Sequence, residues 1–176
     1  MFDWVKNINK PYPEFWKNYL IKLEQKTNRY VAICFEDTNL DIEKPIQIAG
    51  IAIINDNIVV QDSFEITLNN SDNDAIEIEK FIDFIGNSTL VGHKIYLEIE
   101  TLNAKLSKLD CGRLKNEVLD IEIMHIKFQE INDKNFTIDD LTTFYKLEKN
   151  TQHSASDDAL SIALLFLKLK AKLGIV

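Results

Sequence analysis

A pair of apolar segments joined by Asn-Asp-Asn at 55–57 constrains the fold more than any other feature of this sequence. The segments are PIQIAGIAIIND (45–56) and NIVVQDSFEITL (57–68), and both are rich in β-branched residues. Because Asn and Asp tolerate the positive φ angles of tight turns, the pattern predicts an antiparallel β-hairpin. RYVAICFE (29–36), which precedes the hairpin, predicts a third strand.

Helical and extended patterns alternate after the hairpin. The acidic stretch 71–86 predicts a helix, with Ser71 as its cap and Gly86 as its stop. Two short buried strands, STLVGH and EVLDI, then flank a helix in YLEIETLNAKLSKL. Three strands followed by this alternation predict one α/β domain, with a mixed five-stranded sheet and helices on its faces. The apolar residues of the acidic helix at helical spacing are Ile76, Phe81 and Ile85.

Two more helices are predicted near the C-terminal end of the sequence. TIDDLTTFYKL begins with Thr137 and Asp140 at the spacing of a capping box. The last helix is expected from about Ser156 to Leu173. Its central residues are apolar nearly all round, so its middle should be buried.

Residues 1–28 are predicted to form an extension, and residues 29–176 the domain itself. YPEFWKNYLIKLEQK predicts a helix behind Pro13. We expect this helix to pack on the domain, and a helix that binds a partner is the alternative. The residues of its apolar face are Phe15, Tyr19, Leu20 and Leu23.

Charge and cysteine content narrow the class of protein. The net charge of −8, with no dense Lys/Arg block, argues against a large sequence-independent footprint on duplex DNA. Only two cysteines occur, without a pairing pattern, which is typical of a reducing compartment. Neither a signal-peptide core nor a membrane-spanning apolar run is apparent. We therefore expect a cytoplasmic protein with no membrane partner.

Acids and histidines occur in three segments where secondary structure elements begin or end. In the first strand, Cys34 and Glu36 project to one face, because residues two apart do so. Glu98 lies in a helix that follows directly on a short strand. His153 precedes Asp158 by five residues, where the buried last helix begins. Each segment alone is a weak signal, and their order and spacing together are more specific.

These three segments resemble the motifs of the DnaQ-like 3′–5′ exonucleases, the histidine-bearing branch of the DEDD superfamily. The family's D-x-E-T-T-G-L corresponds to CFEDTNL (34–40), G-H-N-x-x-F-D to GHKIYLE (92–98), and H-x-A-x-x-D-A to HSASDDA (153–159). The strand VLDI (118–121) resembles a lesser motif of the family. The resemblance covers about residues 29–173.

The resemblance implies an RNase H-like fold and phosphodiester hydrolysis at the 3′ end of single-stranded DNA or RNA. In the family, four carboxylates hold two divalent ions, Mg²⁺ or Mn²⁺, and a histidine deprotonates the attacking water. Carried over to this sequence, Glu36, Glu98 and Asp158 are metal ligands and His153 is the catalytic base. The sequence does not indicate a particular protein partner.

Cys34 stands where the family has its first metal-binding aspartate. A thiol is mostly neutral at pH 7 and is a soft ligand that Mg²⁺ does not favour. A unit charge 4 Å from an ion contributes about 4 kcal/mol at an effective dielectric of about 20. We therefore expect weakened activity, with two ions, one ion or none bound. Asp37 faces away from Cys34 unless the strand bulges, while Glu98 keeps its charge and Lys94 is a candidate substrate contact.

Two functions remain open at this point. One is a metal-dependent 3′–5′ exonuclease with weakened activity, and the other is an inactive module of the same fold that binds single-stranded nucleic acid or a protein partner. An unrelated α/β domain is a third alternative. His125, in EIMHIKF, is expected on a helix surface, and His93 is expected to pack or to cap a loop.

Overall fold

A sheet of mixed strand direction organises the part of the chain that this computed structural model describes, which is residues 11–36, 45–132, 135–148 and 154–175. The strands are β1 Arg29–Glu36, β2 Ile46–Ile54, β3 Asn57–Leu68, β4 Thr89–Gly92 and β5 Val118–Asp120. Their order in the sheet is β3-β2-β1-β4-β5. β2 is antiparallel to both β1 and β3, and β1, β4 and β5 are parallel to one another. This confirms the predicted mixed five-stranded sheet.

Helices cover both faces of the sheet. Alternate residues of β1 divide the core, because Val31, Ile33 and Phe35 pack on one side while Ala32 and Cys34 pack on the other. The first three helices bury their apolar residues against the first side, and the last three do so against the second. The helices are α1 Glu14–Lys22, α2 Asp74–Ile85, α3 Ile95–Lys108, α4 Ile121–Gln129, α5 Ile138–Phe144 and α6 Ala155–Leu173.

The predicted hairpin of β2 and β3 is confirmed. Asn55 and Asp56 have φ angles of 50° and 58°, so both turn residues are left-handed. This is the conformation of a tight turn whose twist matches that of the flanking strands. Asp56 also accepts a 2.6 Å hydrogen bond from Lys170 Nζ, which ties the turn to the end of α6.

Helix α1 packs into the core through a residue that the sequence pattern did not identify. Trp16 is 0% exposed, and its ring lies 4.6 Å from that of Tyr19. The Tyr19 hydroxyl donates to Asn116 Oδ1 at 2.7 Å and accepts from the Lys115 amide at 2.8 Å. The helix itself is confirmed, and the division of the chain at residue 28 stays a prediction.

The prediction that Ser71 caps α2 is wrong. The helix begins at Asp74, behind Asn73, and Ser71 Oγ instead donates to Asp74 Oδ1 at 3.3 Å. The Asp74 carboxylate also accepts hydrogen bonds from the backbone amides of Asn69 and Asn70 in the preceding loop. These local bonds take the place of a serine cap at the start of the helix. Ile76 was assigned to the apolar face but is 54% exposed, while Gly86 does end the helix with a φ of 47°.

His125 was expected on a helix surface, and this prediction is wrong. The side chain is 2% exposed, and its Nδ1 lies 2.8 Å from the Tyr145 hydroxyl. The rings of Phe136, Phe144 and Tyr145 surround it edge-on. These partners come from a segment that follows α4, so the local sequence of α4 could not reveal the burial.

The last two helices follow their sequence signals. Thr137 and Asp140 form the reciprocal capping box predicted for α5. Helix α6 is buried through its middle, as expected, with Ile162 and Phe166 fully inaccessible. Among the helices of the described ranges, none is both long and apolar enough to cross a membrane.

Candidate functional site

Strand β1 places Cys34 and Glu36 on the face of the sheet that α6 covers. Cys34 is 6% exposed and belongs to the core on that side, while Phe35 packs on the opposite side. Glu36 is the last residue of the strand and is half-buried. The predicted alternation is therefore present in the structure, and Asp37 lies outside the described residues.

Glu98 reaches β1 from the first turn of α3. Its Oε1 accepts a 3.2 Å hydrogen bond from the Phe35 amide, and the side chain is 6% exposed. Its Oε2 is buried without a hydrogen-bond partner in the described part of the chain. A Cβ atom at Gly92 would lie 3.1 Å from this oxygen, so the glycine leaves the space that the carboxylate uses.

Asp120, at the end of β5, orients the helix that carries Glu98. Its Oδ2 accepts from the Ile95 amide at 3.1 Å, at the start of α3. Its Oδ1 accepts from the amides of Glu122 and Ile123, at the start of α4. One carboxylate therefore fixes the beginnings of two helices, which is the capping role that acids commonly have at helix N-termini.

Asp158 lies in the first turn of α6. Ser154 caps this helix, since its side chain accepts from the Asp157 amide at 3.2 Å and its carbonyl accepts from the Asp158 amide at 3.0 Å. Ser154 Oγ also donates to Asp157 Oδ2 at 2.8 Å. The cap aligns the first turn of α6, in which Asp158 lies.

The charges of three predicted site acids act on the Cys34 thiol. Burial raises the pKa of the Cys34 thiol well above its ordinary value of 9.0, and the charges of Glu98, Asp158 and Glu36 raise it further. Burial is the largest cause, and the three charges act in the same direction, so the thiol is neutral at pH 7.

Glu98 is itself held in an unfavourable place for a charge. Burial raises its pKa well above the ordinary 4.5; the Phe35 amide lowers it in part, and the charge of Asp120 adds to the rise. In the absence of a cation, this carboxyl group is therefore protonated more readily than an exposed glutamate.

The structure gives less information on the other two predicted site residues, His153 and Lys94. His153 lies outside the described residues, so its catalytic role stays a prediction. Lys94 precedes α3 in a left-handed conformation, with a φ of 51°, and is partly exposed. His93, next to it, lies with Nε2 2.6 Å from the Phe136 carbonyl oxygen, which agrees with the packing role expected for it.

The described residues do not fit the two-ion centre that the resemblance implies. Within the described ranges, no group of three Asp, Glu, His or Cys side chains is arranged to hold an ion. The Cys34 thiol is neutral, and Glu98 directs one oxygen to a backbone amide. Among the described residues, Glu98 Oε2 is a buried carboxylate oxygen without a hydrogen-bond partner, which is the environment expected of a metal-ligand oxygen.

A polar cluster beside the acids was missed in the sequence. Glu65, on β3, accepts a 2.7 Å hydrogen bond from Gln47 Nε2 through one oxygen and a hydrogen bond from Ser156 Oγ through the other. Isolated Glu and Gln residues on strands carry no sequence signal, so only the packing of α6 reveals the contact. The surface groove between α1 and α2, lined by Phe15 and Tyr19 among others, contains none of the predicted site residues.

Comparison with known proteins finds relatives in sequence over about half of the chain. No protein-family model matches. A DNA polymerase III PolC-type from Caldanaerobacter subterraneus subsp. tengcongensis is 30% identical over 97 residues, which are 54% of this chain and 7% of that protein. A DNA polymerase III PolC-type from Latilactobacillus sakei subsp. sakei is 32% identical over 98 residues, which are 55% and 7%. The chain therefore spans a small fraction of the length of these relatives.

Two solved structures share the fold along most of the chain. Escherichia coli exonuclease I in complex with a dA16 oligonucleotide superposes with a TM-score of 0.63 at 12% identity, over 82% of this chain and 41% of that one. Exonuclease X in complex with 5′ overhanging duplex DNA superposes with a TM-score of 0.56 at 14% identity, over 84% and 94%. These comparisons confirm the predicted resemblance to the DnaQ-like exonucleases and the RNase H-like fold of this chain.

Proposed function

We propose that this chain acts on 3′ ends of single-stranded nucleic acid as a DnaQ-like exonuclease whose hydrolysis is weakened by Cys34. The observation that carries the proposal is the buried contact of Glu98, from α3, with the Phe35 amide beside Cys34, where Glu98 Oε2 has no hydrogen-bond partner in the described part of the chain. A buried carboxylate oxygen without a donor is costly, and a bound cation would offset that cost. The charges of Glu98, Asp158 and Glu36 also act on the Cys34 thiol.

The shared fold supports a nucleic acid substrate. Exonuclease I was solved with an oligonucleotide and exonuclease X with overhanging duplex DNA, and both superpose on most of this chain. With a net charge of −8, we expect few phosphate contacts and a shallow dependence of binding on salt. Two cysteines that form no disulfide fit a reducing compartment, and we place the activity in the cytoplasm.

A second candidate function is a non-catalytic module that binds nucleic acid ends or a protein partner. The observation that favours it is the poor fit of the described residues to a two-ion centre. Both functions use the same fold, so the fold alone does not separate them.

Restoring the family's acid at position 34 separates the two functions. Labelled single-stranded DNA and RNA are incubated with the wild type, Cys34→Asp and Asp158→Ala, each in Mg²⁺ and in Mn²⁺. We expect slow trimming from the 3′ end by the wild type, its loss in Asp158→Ala, and at least about a tenfold gain in Cys34→Asp, from half of the ion–charge attraction. Cleavage by Cys34→Asp alone would establish the non-catalytic module.

Thermal unfolding gives a readout that does not depend on turnover. A fourth carboxylate buried beside Glu36, Glu98 and Asp158 should destabilise the metal-free protein, since like charges would then share one site. Divalent ions should recover that loss by binding the folded state, so the Tm of Cys34→Asp should rise with Mn²⁺ more than the Tm of the wild type. If neither protein cuts and neither Tm responds to ions, the assignment of this site is wrong.

A further inference from the structure

One carboxylate, that of Glu65, joins the sheet to the start of α6. Its two oxygens accept from donors on different elements: Gln47 on β2 and Ser156 on α6. These donors lie 18 and 91 positions from Glu65 in sequence, so the contact joins segments that no local signal connects. A carboxylate that accepts two side-chain hydrogen bonds makes stronger bonds than a neutral acceptor would.

The strand register places this bridge next to both ends of the candidate site. Gln47 lies directly opposite Glu36, and Ala49 lies between Cys34 on one side and Glu65 on the other. Residues paired in this way share one face of the sheet. The second donor, Ser156, comes two residues before Asp158 along the chain. Glu65 therefore contacts one neighbour of each of two candidate acids.

We propose that Glu65 is a positioning residue that fixes the first turn of α6, and with it Asp158, relative to Glu36 and Cys34. The effect on catalysis rests on the proposed function. The effect on the position of Asp158 rests on the contacts of Glu65 alone. Without the bridge, the first turn of α6 keeps its Ser154 cap but loses this side-chain tie to β3. The middle of α6 is buried against the sheet and is held independently.

Hydrogen exchange at single amides tests the structural part on the whole chain without nucleic acid. In Glu65→Ala and in Ser156→Ala, we expect the Asp157 and Asp158 amides to exchange about threefold to tenfold faster, the range that one or two net hydrogen bonds allow. The amides of Ile162 and Phe166, in the buried middle of the helix, should not change. Glu79→Ala, which removes an exposed acid from α2, is the matched control and should leave all four amides at the wild-type rate.

The conservative variant separates hydrogen bonding from charge. In Glu65→Gln the side chain can still accept from Ser156, and the Gln47 amide can turn its oxygen towards the new amino group. We therefore expect slow exchange at Asp157 and Asp158 in Glu65→Gln. Fast exchange in this variant would show that the charge of Glu65, rather than its two hydrogen bonds, orders the turn, and would overturn the inference. Unchanged exchange in Glu65→Ala would overturn it too.

The catalytic part is measured in the background of Cys34→Asp. There, Glu65→Ala should lower kcat about threefold to tenfold with KM little changed, while Glu65→Gln should retain kcat, because a displaced Asp158 affects the reaction rather than the capture of the substrate. A rise in KM alone would contradict positioning. If the exchange rates respond as expected but no variant cuts nucleic acid, the proposed function fails while the bridge itself stands.

Discussion

The Phe35 amide donates a 3.2 Å hydrogen bond to Glu98 Oε1, and this bond holds an acid from α3 against the residue that follows Cys34 in β1. The bond crosses 63 positions of sequence and is buried. Glu98 of the second motif is thereby held by a backbone amide of the first motif, so the contact does not depend on which side chain stands at position 34. The frame of the site can thus persist although Cys34 has replaced an acid.

Glu98→Gln should stabilise the metal-free protein at neutral pH. Burial and Asp120 raise the pKa of Glu98 above its ordinary 4.5, so the folded state holds a proton that the unfolded state releases as pH rises. Its contribution to stability is therefore complete below pH 4.5 and is lost at higher pH. Urea unfolding with a chelator at pH 4.5, 6 and 8 should show a smaller decline for Glu98→Gln than for the wild type.

Glu79→Gln, which changes an exposed acid, serves as the control for Glu98→Gln. It should follow the wild-type dependence of stability on pH. Equal slopes for the wild type and Glu98→Gln would show that Glu98 is charged in the folded state, contrary to its buried position.

Gly92→Ala should destabilise the protein by about 1–3 kcal/mol, the usual cost of overpacking. The new Cβ would lie 2.9 Å from Ile95 Cγ1 and 3.1 Å from Glu98 Oε2, so α3 or the carboxylate must move. Gly112→Ala is the comparison, because its closest contact would be 3.3 Å to the Tyr12 hydroxyl. Chemical denaturation should rank Gly92→Ala as the more costly of the two, and the reverse order would place the tight contact elsewhere.

Asp120→Ala should cost about 2 kcal/mol, since it removes the cap of α4 and the acceptor for the first amide of α3. Asp120→Asn keeps one acceptor oxygen, which can serve either α3 or α4, while its amino group faces the remaining backbone N–H. It should therefore cost less than Asp120→Ala but more than half as much. The free energy of unfolding in denaturant measures both, and a cost below about 0.5 kcal/mol for either substitution would contradict the double capping role.

His125 should make the protein less stable as pH falls. Burial lowers its pKa below the ordinary 6.5, and the charge of Glu122 opposes this in part. As pH falls through 6.5, His125 takes up a proton in the unfolded state but not yet in the folded state. The free energy of unfolding therefore decreases as pH drops through and below that value. Tm measured from pH 7.5 to 5 should fall less for His125→Gln, apart from a constant offset. Proton NMR titration of the imidazole gives the direct check, and a pKa of 6.5 or above in the folded state would contradict this expectation.

Strong local signals predicted most of the fold. The turn at Asn55 and Asp56 and the capping box of Thr137 and Asp140 both occur as expected, because these residues bond within a few positions of themselves. The burial of α6 also followed from its composition alone. Such features need no knowledge of distant partners.

The errors have two physical causes. Ser71 failed as a cap because of a local competition, since the Asp74 carboxylate accepts from the loop before it. The burial of His125 was missed because it depends on rings that follow α4 in the chain. For the site, spacing and resemblance indicated Glu36, Glu98 and Asp158; the charges of all three act on Cys34, and their roles as metal ligands stay predictions. Neither indicated Glu65, whose partner Ser156 is adjacent only after α6 has packed on the sheet.

The hydrogen bonds of Tyr19 with Asn116 and Lys115 limit where the protein can be truncated for expression. Asn116 accepts a hydrogen bond from Tyr19 and donates to the carbonyl oxygens of Gly86 and Ser88. The Tyr19 side chain of α1 therefore completes a hydrogen-bond network that links the end of α2 to the segment before β5. A fragment starting at residue 29 would lose the indole of Trp16 from its interior and would leave these groups to water. Any recombinant protein used to assay the site should therefore retain α1. If a protein without α1 showed no activity, the cause could be a damaged fold rather than the chemistry at Cys34.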